Sequence, residues 1–168
     1  VRSGRKKIAH VSGNDKSPYF ENIRNAYADA LKRFDFTPEP DLIVEAAPKF
    51  EGGVDAADRL LDSGREFDAG FVAGDLQAIG VMNRLLQRGV KVPGDVAVAG
   101  YAGSHLSRMV FPQLTTVEPP LVEMGEKAAQ LLLEKIDDPD SPVCSATVDA
   151  KIELRSSSHG QTMESSVK

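Results

Sequence analysis

An α/β fold built on a doubly wound parallel sheet is predicted by three features of this sequence. Continuous apolar runs too short for helices recur along its first two thirds. Between them lie stretches that are apolar every third or fourth residue, the pattern of a helix with one buried face. Strands buried on both faces read as continuous apolar runs, so this alternation means a parallel sheet with helices on either side. The third feature is size. With 168 residues, 41% of them apolar and 27% charged, the chain can build one domain or two small lobes around a core, and it is neither disordered nor fibrous in composition.

The first strand is expected over 7–11, where Ile8, Ala9 and Val11 run into Ser12-Gly13. A helix follows over 18–34. Ser17 is placed to cap it, Pro18 suits its first position, and Phe20, Ile23, Tyr27, Leu31 and Phe34 form its apolar stripe. The second strand is expected over 42–45 and the second helix over 53–63, with Gly64 as its stop. The third strand falls at 69–73. Asp75 is well placed to cap the third helix, 76–88, which carries Ile79, Met82, Leu85 and Leu86 and ends at Gly89. A turn through Pro93-Gly94 leads to the fourth strand at 96–100.

Beyond Tyr101 the pattern changes. Leu106, Met109 and Val110 lie on a short helical or irregular stretch, and 114–117 is extended. Pro119 and Pro120 open a helix over 120–136 with Met124, Ala128, Leu131, Leu132 and Ile136 on one stripe. Short strands are expected near 146–148 and 151–154. From Arg155 the Ser-rich end has nothing to bury, and 158–168 is expected to be a disordered tail.

Charge and chemistry narrow the function. Lys and Arg number 20 against 25 Asp and Glu, a net charge of −5. Gripping nucleic acid needs clustered cations, which an acidic chain lacks. A single cysteine, Cys144, excludes an internal disulfide and a Cys-based zinc site. His10, His105 and His159 show no ligand spacing, so neither a metal nor a cofactor is expected. No apolar run reaches the roughly 18 residues that a membrane span needs. The basic start is followed by a strand-like run rather than a signal-peptide core, so a cytoplasmic protein without a membrane partner is expected.

No catalytic motif is present, and the chain is not expected to be an enzyme. Candidate ligand positions sit at strand carboxyl ends, where open α/β sheets bind their ligands. Ser12 to Ser17 lie at a strand end before a helix N-terminus, either a place suited to anions or hydroxyls or an ordinary polar loop; Ser17 and, two residues on, Tyr19 are the candidates there. Asp75 is either a functional acid or a helix cap. Tyr101 either stacks on a ligand or packs against a neighbouring helix.

Three phrases carry a family resemblance. Phe71-Val72-Ala73-Gly74-Asp75-Leu76-Gln77-Ala78-Ile79-Gly80 resembles "F-A-x-N-D-x-M-A-x-G" of the LacI/GalR family of bacterial transcriptional repressors. Val92-Pro93-Gly94-Asp95-Val96-Ala97-Val98-Ala99-Gly100-Tyr101 resembles its "V-P-x-D-V-A-V-x-G-[FY]-D", and Pro112-Gln113-Leu114-Thr115-Thr116-Val117 its "P-x-L-T-T-V". Ile8 to Ser12 resembles its first strand. The likeness runs to about Ser157, and the segment from Arg108 to Thr115 is most similar to the catabolite control protein A branch.

The resemblance implies a periplasmic-binding-protein-like core, of which 1–117 would be the C-terminal lobe. The stretch 118–150 would cross to the N-terminal lobe and 151–157 would return as a strand. It implies a homodimer with Ile79, Met82, Leu106, Met109 and Val110 at the subunit contact. It also implies a small-molecule effector or a protein corepressor, with operator DNA reached only through a headpiece outside these residues. Ser17 and Asp75 match polar positions of the effector site. Ile23, Gly74, Ala102 and Pro119 stand where sugar-binding members carry hydrogen-bonding groups, and Pro48, with Phe50 close by, takes the place of a pocket aromatic. Directed hydrogen bonds are what discriminate a sugar, so a standard sugar site is not expected. Two other readings share the fold: a periplasmic, ribose-binding-like transport or chemoreceptor protein, and, less favoured, an enzyme on a doubly wound sheet.

Overall fold

The computed structural model describes residues 4–142 and 144–159. The apolar runs become strands β1 (Ile8–Gly13), β2 (Ile43–Ala46), β3 (Ala69–Val72), β4 (Ala97–Tyr101), β5 (Thr115–Glu118) and β6 (Lys151–Glu153). The amphipathic stretches become α1 (Pro18–Arg33), α2 (Phe50–Asp62), α3 (Asp75–Gln87), the single turn α4 (Leu106–Met109) and α5 (Leu121–Asp137). All six strands join one sheet in the order β2-β1-β3-β4-β5-β6. The first five are parallel, and β6 returns antiparallel along β5 with Ile152 opposite Val117. The expected fold class is the observed one.

Successive residues of a strand face opposite ways, and this sorts the sheet into two unlike faces. Ala9, Val11, Val72, Val98 and Leu114 meet Ala56, Ala57 and Leu60 of α2 and Ala78, Val81 and Leu85 of α3 in one core. His10 faces the other way, toward α1. Its ring stacks between Tyr27 at 4.8 Å and Phe71 at 5.5 Å, and its Nδ1 bonds the carbonyl of Phe71.

Helices α2 and α3 cross at glycines. A Cβ on Gly53 would run into the carbonyl oxygen of Gln77, and one on Gly80 into that of Phe50. Helix α2 begins at Phe50, earlier than the expected 53, and takes in Gly52 and Gly53, where no larger residue fits.

Four further expectations need correction. Ser17 does not cap α1 through its side chain; its N–H instead bonds Asp15 Oδ1 at 3.0 Å. Asp75 does not cap α3, for the cap position is Gly74 and Asp75 is the first helical residue. Residues 146–148 form no strand. The Ser-rich end is not idle from Arg155. Ser157 is fully buried between β4 and β5, where its N–H bonds Gln113 O, its hydroxyl bonds Val98 O at 2.6 Å, and its Oγ accepts from Thr115 N. Arg155 donates to Ser107 Oγ and Leu114 O. Of the expected tail, 160–168 lies outside the described residues.

The expectation of helices over both faces also holds only in part. On the α1 side, no helix among the described residues covers the sheet beyond β3. An open groove of about 590 Å³ runs there past Phe71, Ala99, Val117, Ile152 and Leu154. Helix α4 packs on α3 and does not line it, and α5 has no buried residue at all. Leu132 and Ile136 on the α5 stripe are 61% and 62% exposed. Fully burying a Leu-sized side chain is worth roughly 1.5–3 kcal/mol, so α5 and the groove are surfaces built for contacts that the described residues do not supply.

Two stability predictions follow from this core. Burial holds the His10 imidazole below its ordinary range, with the Arg24 charge adding to that and the bond to Phe71 O opposing it. The unfolded chain therefore binds this proton more readily. The stability that His10 contributes is complete above its unfolded pKa, about 6.5, and is lost as pH falls through the lower folded value. Thermal melts from pH 8 to pH 4 should show this loss, and His10→Phe should flatten that part of the profile. Gly80→Ala should destabilise by about 1–3 kcal/mol through overpacking in urea melts, whereas Gly70→Ala, whose Cβ meets nothing within 4 Å, should cost far less.

Candidate functional site

The carboxyl ends of β1, β3, β4 and β5 lie along one rim of the sheet, and α1 and α3 begin there. Pro18 at the first position of α1 turns the chain so that Tyr19 reaches across the end of β3. Its hydroxyl donates to Ala73 O at 3.1 Å. Its ring meets Tyr101, the last residue of β4, edge-on at 6.0 Å, and Phe20 backs it at 4.8 Å. Tyr19 is 44% exposed and Tyr101 half-buried, so the pair presents aromatic surface to solvent. Burial pushes the Tyr19 phenol up to about 12, with the Tyr101 and Asp75 charges adding. Tyr19 is therefore a neutral phenol at ordinary pH, with its proton already directed to Ala73.

Asp75 lies at the same rim but is turned inward, only 2% exposed. Its Oδ2 accepts the Ser104 N–H at 2.6 Å and its Oδ1 the Thr116 hydroxyl at 2.5 Å. Both oxygens are engaged within the fold. Ser17 is half-buried at the start of α1 beside the exposed Asn14-Asp15-Lys16 loop. Phe50 is half-buried at the start of α2, and among the described residues it makes no aromatic contact with the tyrosine pair. Of the candidates, the structure brings Tyr19 and Tyr101 into direct contact. At Gly74 a Cβ would meet nothing within 4 Å, so the position opposite the missing family Asn is open space. Ile23 and Pro119 are half-buried and Ala102 is exposed. None of these three side chains offers a hydrogen bond.

Gln77 was invisible as a structural residue in the sequence reading. It is buried, and its Nε2 lies 3.1–3.3 Å from the carbonyls of Ser12, Ala46 and Ala47. An amide nitrogen has two protons, enough to hold together the ends of β1 and β2. The signal was present: Gln77 occupies the place of the apolar Met in the family phrase. Thr116 and Ser104 were also missed, because they approach Asp75 only through the fold.

The apolar candidates on α3 and α4 divide. Leu106 and Met109 are 47% and 75% exposed, and Ile79 and Val110 are partly buried. Met82 is 2% exposed and belongs to the core under α3, so it is removed from the surface patch. Phe111, 86% exposed, adjoins the patch and was overlooked. Among the described residues no cluster of three metal-ligating side chains exists, and no helix is long and apolar enough to cross a membrane.

Comparison with known proteins agrees with this arrangement. The family model for the periplasmic binding protein-like domain matches residues 1–158. The transcriptional repressor PurR of Vibrio atlanticus is 35% identical over 83% of this chain and 42% of its own length. The ribose operon repressor of Haemophilus influenzae is 31% identical over 94% of this chain and 47% of its own. Catabolite control protein A of Priestia megaterium is also 31% identical, over 94% and 48%. A sugar-binding LacI-family regulator from Escherichia coli, solved with phosphate, superposes with a TM-score of 0.84 at 28% identity, covering 93% of this chain and 56% of that one. The chain spans about half the length of the relatives it matches. PurR and the ribose operon protein are named as repressors, and the Escherichia coli structure as a transcriptional regulator. The chain belongs to the periplasmic binding protein-like domain family, in the form of that domain carried by LacI/GalR-type transcriptional regulators.

Proposed function

We propose that this chain is the effector-sensing and dimerising portion of a bacterial LacI/GalR-type regulator working in the cytoplasm, with operator DNA read by a separate headpiece. The likeness to repressors supports this over a transport protein. Residues 1–117 then form the C-terminal lobe, 118–150 cross to an N-terminal lobe through α5, and 151–157 return. The uncovered stripe on α5 supports that division, since a helix with no buried residue suits a second lobe. Catabolite control protein A remains the branch favoured by the segment from Arg108 to Thr115, although its identity does not exceed that of the ribose operon repressor. Gln130 replaces the Arg of that branch, which argues against the anion contact of a phosphorylated carrier protein.

The observation that carries the effector reading is the composition of the rim. Tyr19 and Tyr101 present aromatic faces, while Ile23, Gly74, Ala102 and Pro119 withhold polar side chains. Ser17 supplies the remaining hydroxyl, and Asp75 has no free oxygen. Such a rim suits a ligand less polar than a sugar, or a protein corepressor. Calorimetry against plain hexoses and pentoses should show no micromolar binding, and micromolar affinity for any of them would overturn this reading.

Self-association is assigned to the apolar patch of Ile79, Leu106, Met109, Val110 and Phe111, in an isologous pairing. Placing a charge there should weaken the dimer. Ile79→Asp or Val110→Asp should raise its Kd at least ~10-fold, about 1.4 kcal/mol, by sedimentation velocity on the intact protein. An unchanged Kd would remove the patch from the interface.

A further inference from the structure

The loop from Tyr101 to Ser104 has an unusual backbone. Ala102 adopts φ 133° and Gly103 φ 65°, both in the region that disfavours side chains. Something must hold a non-glycine residue there, and three hydrogen bonds converge to do so. Asp75 Oδ2 takes the Ser104 N–H at 2.6 Å, Asp75 Oδ1 takes the Thr116 hydroxyl at 2.5 Å, and Thr116 Oγ1 in turn accepts the Gly103 N–H at 3.3 Å. Gly100 makes room for this arrangement, since a Cβ there would stand 2.5 Å from Asp75 Oδ1. The loop is therefore fastened from both α3 and β5, directly after the residue whose ring meets Tyr19. The fastening continues into α4, where the Ser107 hydroxyl donates to Ser104 O.

We propose that Asp75 is a positioning residue, a buried latch that touches no ligand but fixes the Tyr101–Ser104 loop and so sets the Tyr101 ring against Tyr19. The assignment deepens the reading of this rim as the ligand-facing end. Asp75 acts through Thr116 and Ser104. A side chain without oxygens removes both acceptors at once and leaves the Ser104 N–H without its partner.

The test reads the rings directly and needs no ligand, so its failure and the failure of the ligand reading are separable. The 168-residue chain has three tyrosines and no tryptophan. Ring-labelled tyrosine NMR, with Tyr101→Phe for assignment, follows the Tyr19–Tyr101 cross-peak and uses Tyr27, buried between α1 and β1, as the internal control. Asp75→Ala should abolish that cross-peak and shift Tyr101 while leaving Tyr27 in place. Thr116→Val should do the same, and Thr116→Ser, which keeps the hydroxyl, should restore the native pattern. If Asp75→Ala does not fold, the Thr116 pair decides alone. A preserved cross-peak in Asp75→Ala or Thr116→Val, equal disturbance by Thr116→Val and Thr116→Ser, or movement of Tyr27 together with Tyr101 would each overturn the latch.

Discussion

The close crossing of α2 and α3 is the constraint on which the rest of this structure depends. Two backbones can approach so near only where side chains are missing, and Gly53 and Gly80 provide that gap. The crossing presses the first turns of α3 down on the strand ends. From there Gln77 reaches the carbonyls of β1 and β2, and Asp75 reaches Thr116 on β5. A wider crossing would lift both polar side chains away from partners that they satisfy in a buried setting, where an unmet polar group is costly. Apolar packing and the polar fastenings at the rim are thus one mechanical unit, with α3 as its shared member.

Much of the fold was legible because burial imposes a period. Ile8–Val11 and Ala97–Ala99 had to be interior strands, and the stripe Phe20-Tyr27-Leu31 had to be a helix face. What escaped was whatever depends on a partner distant in sequence. The start of α2 was placed too late, because what Gly52 and Gly53 serve, close approach to the Ala47 backbone and the Gln77 carbonyl, lies on other segments. Asp75 looked like a helix cap because its local position suits one, while its true partner Thr116 is 41 residues away. Ser157 looked solvated because hydroxyl-rich segments usually are. Here the hydroxyl satisfies a gap in the ladder between β4 and β5, which no local pattern announces. At the rim, Tyr19 and Tyr101 stand at helix and strand ends that the apolar pattern marks, but their edge-on contact depends on the fold.

The two faces of the sheet show how unevenly a half-structure is finished. One face is sealed by α2 and α3 to the point that Ala9, Val72, Ala78 and Val98 have no exposure. The other is sealed only over β1, by α1, and gives way to a groove bordered by Phe71, Val117 and Leu154. Helix α5 repeats the contrast, for its sequence has the stripe of a buried helix and its surroundings do not. Propensity and amphipathicity form such a helix locally, but packing is what normally stabilises it. Among the described residues nothing covers that stripe.

The position of Ser157 also orders events in time. Its backbone and hydroxyl join Val98, Gln113 and Thr115, although it lies 42 residues beyond Thr115. At translation rates of about 5–20 residues per second, roughly 2–8 s pass between the synthesis of β5 and the arrival of this serine. During that interval β4 and β5 can pair through Ala99–Tyr101 and Thr115–Val117, but they lack the residue that joins Val98, Gln113 and Thr115 beside that ladder. A ribosome that stops short of Ser157 releases a chain whose β4 and β5 are held by their own ladder alone.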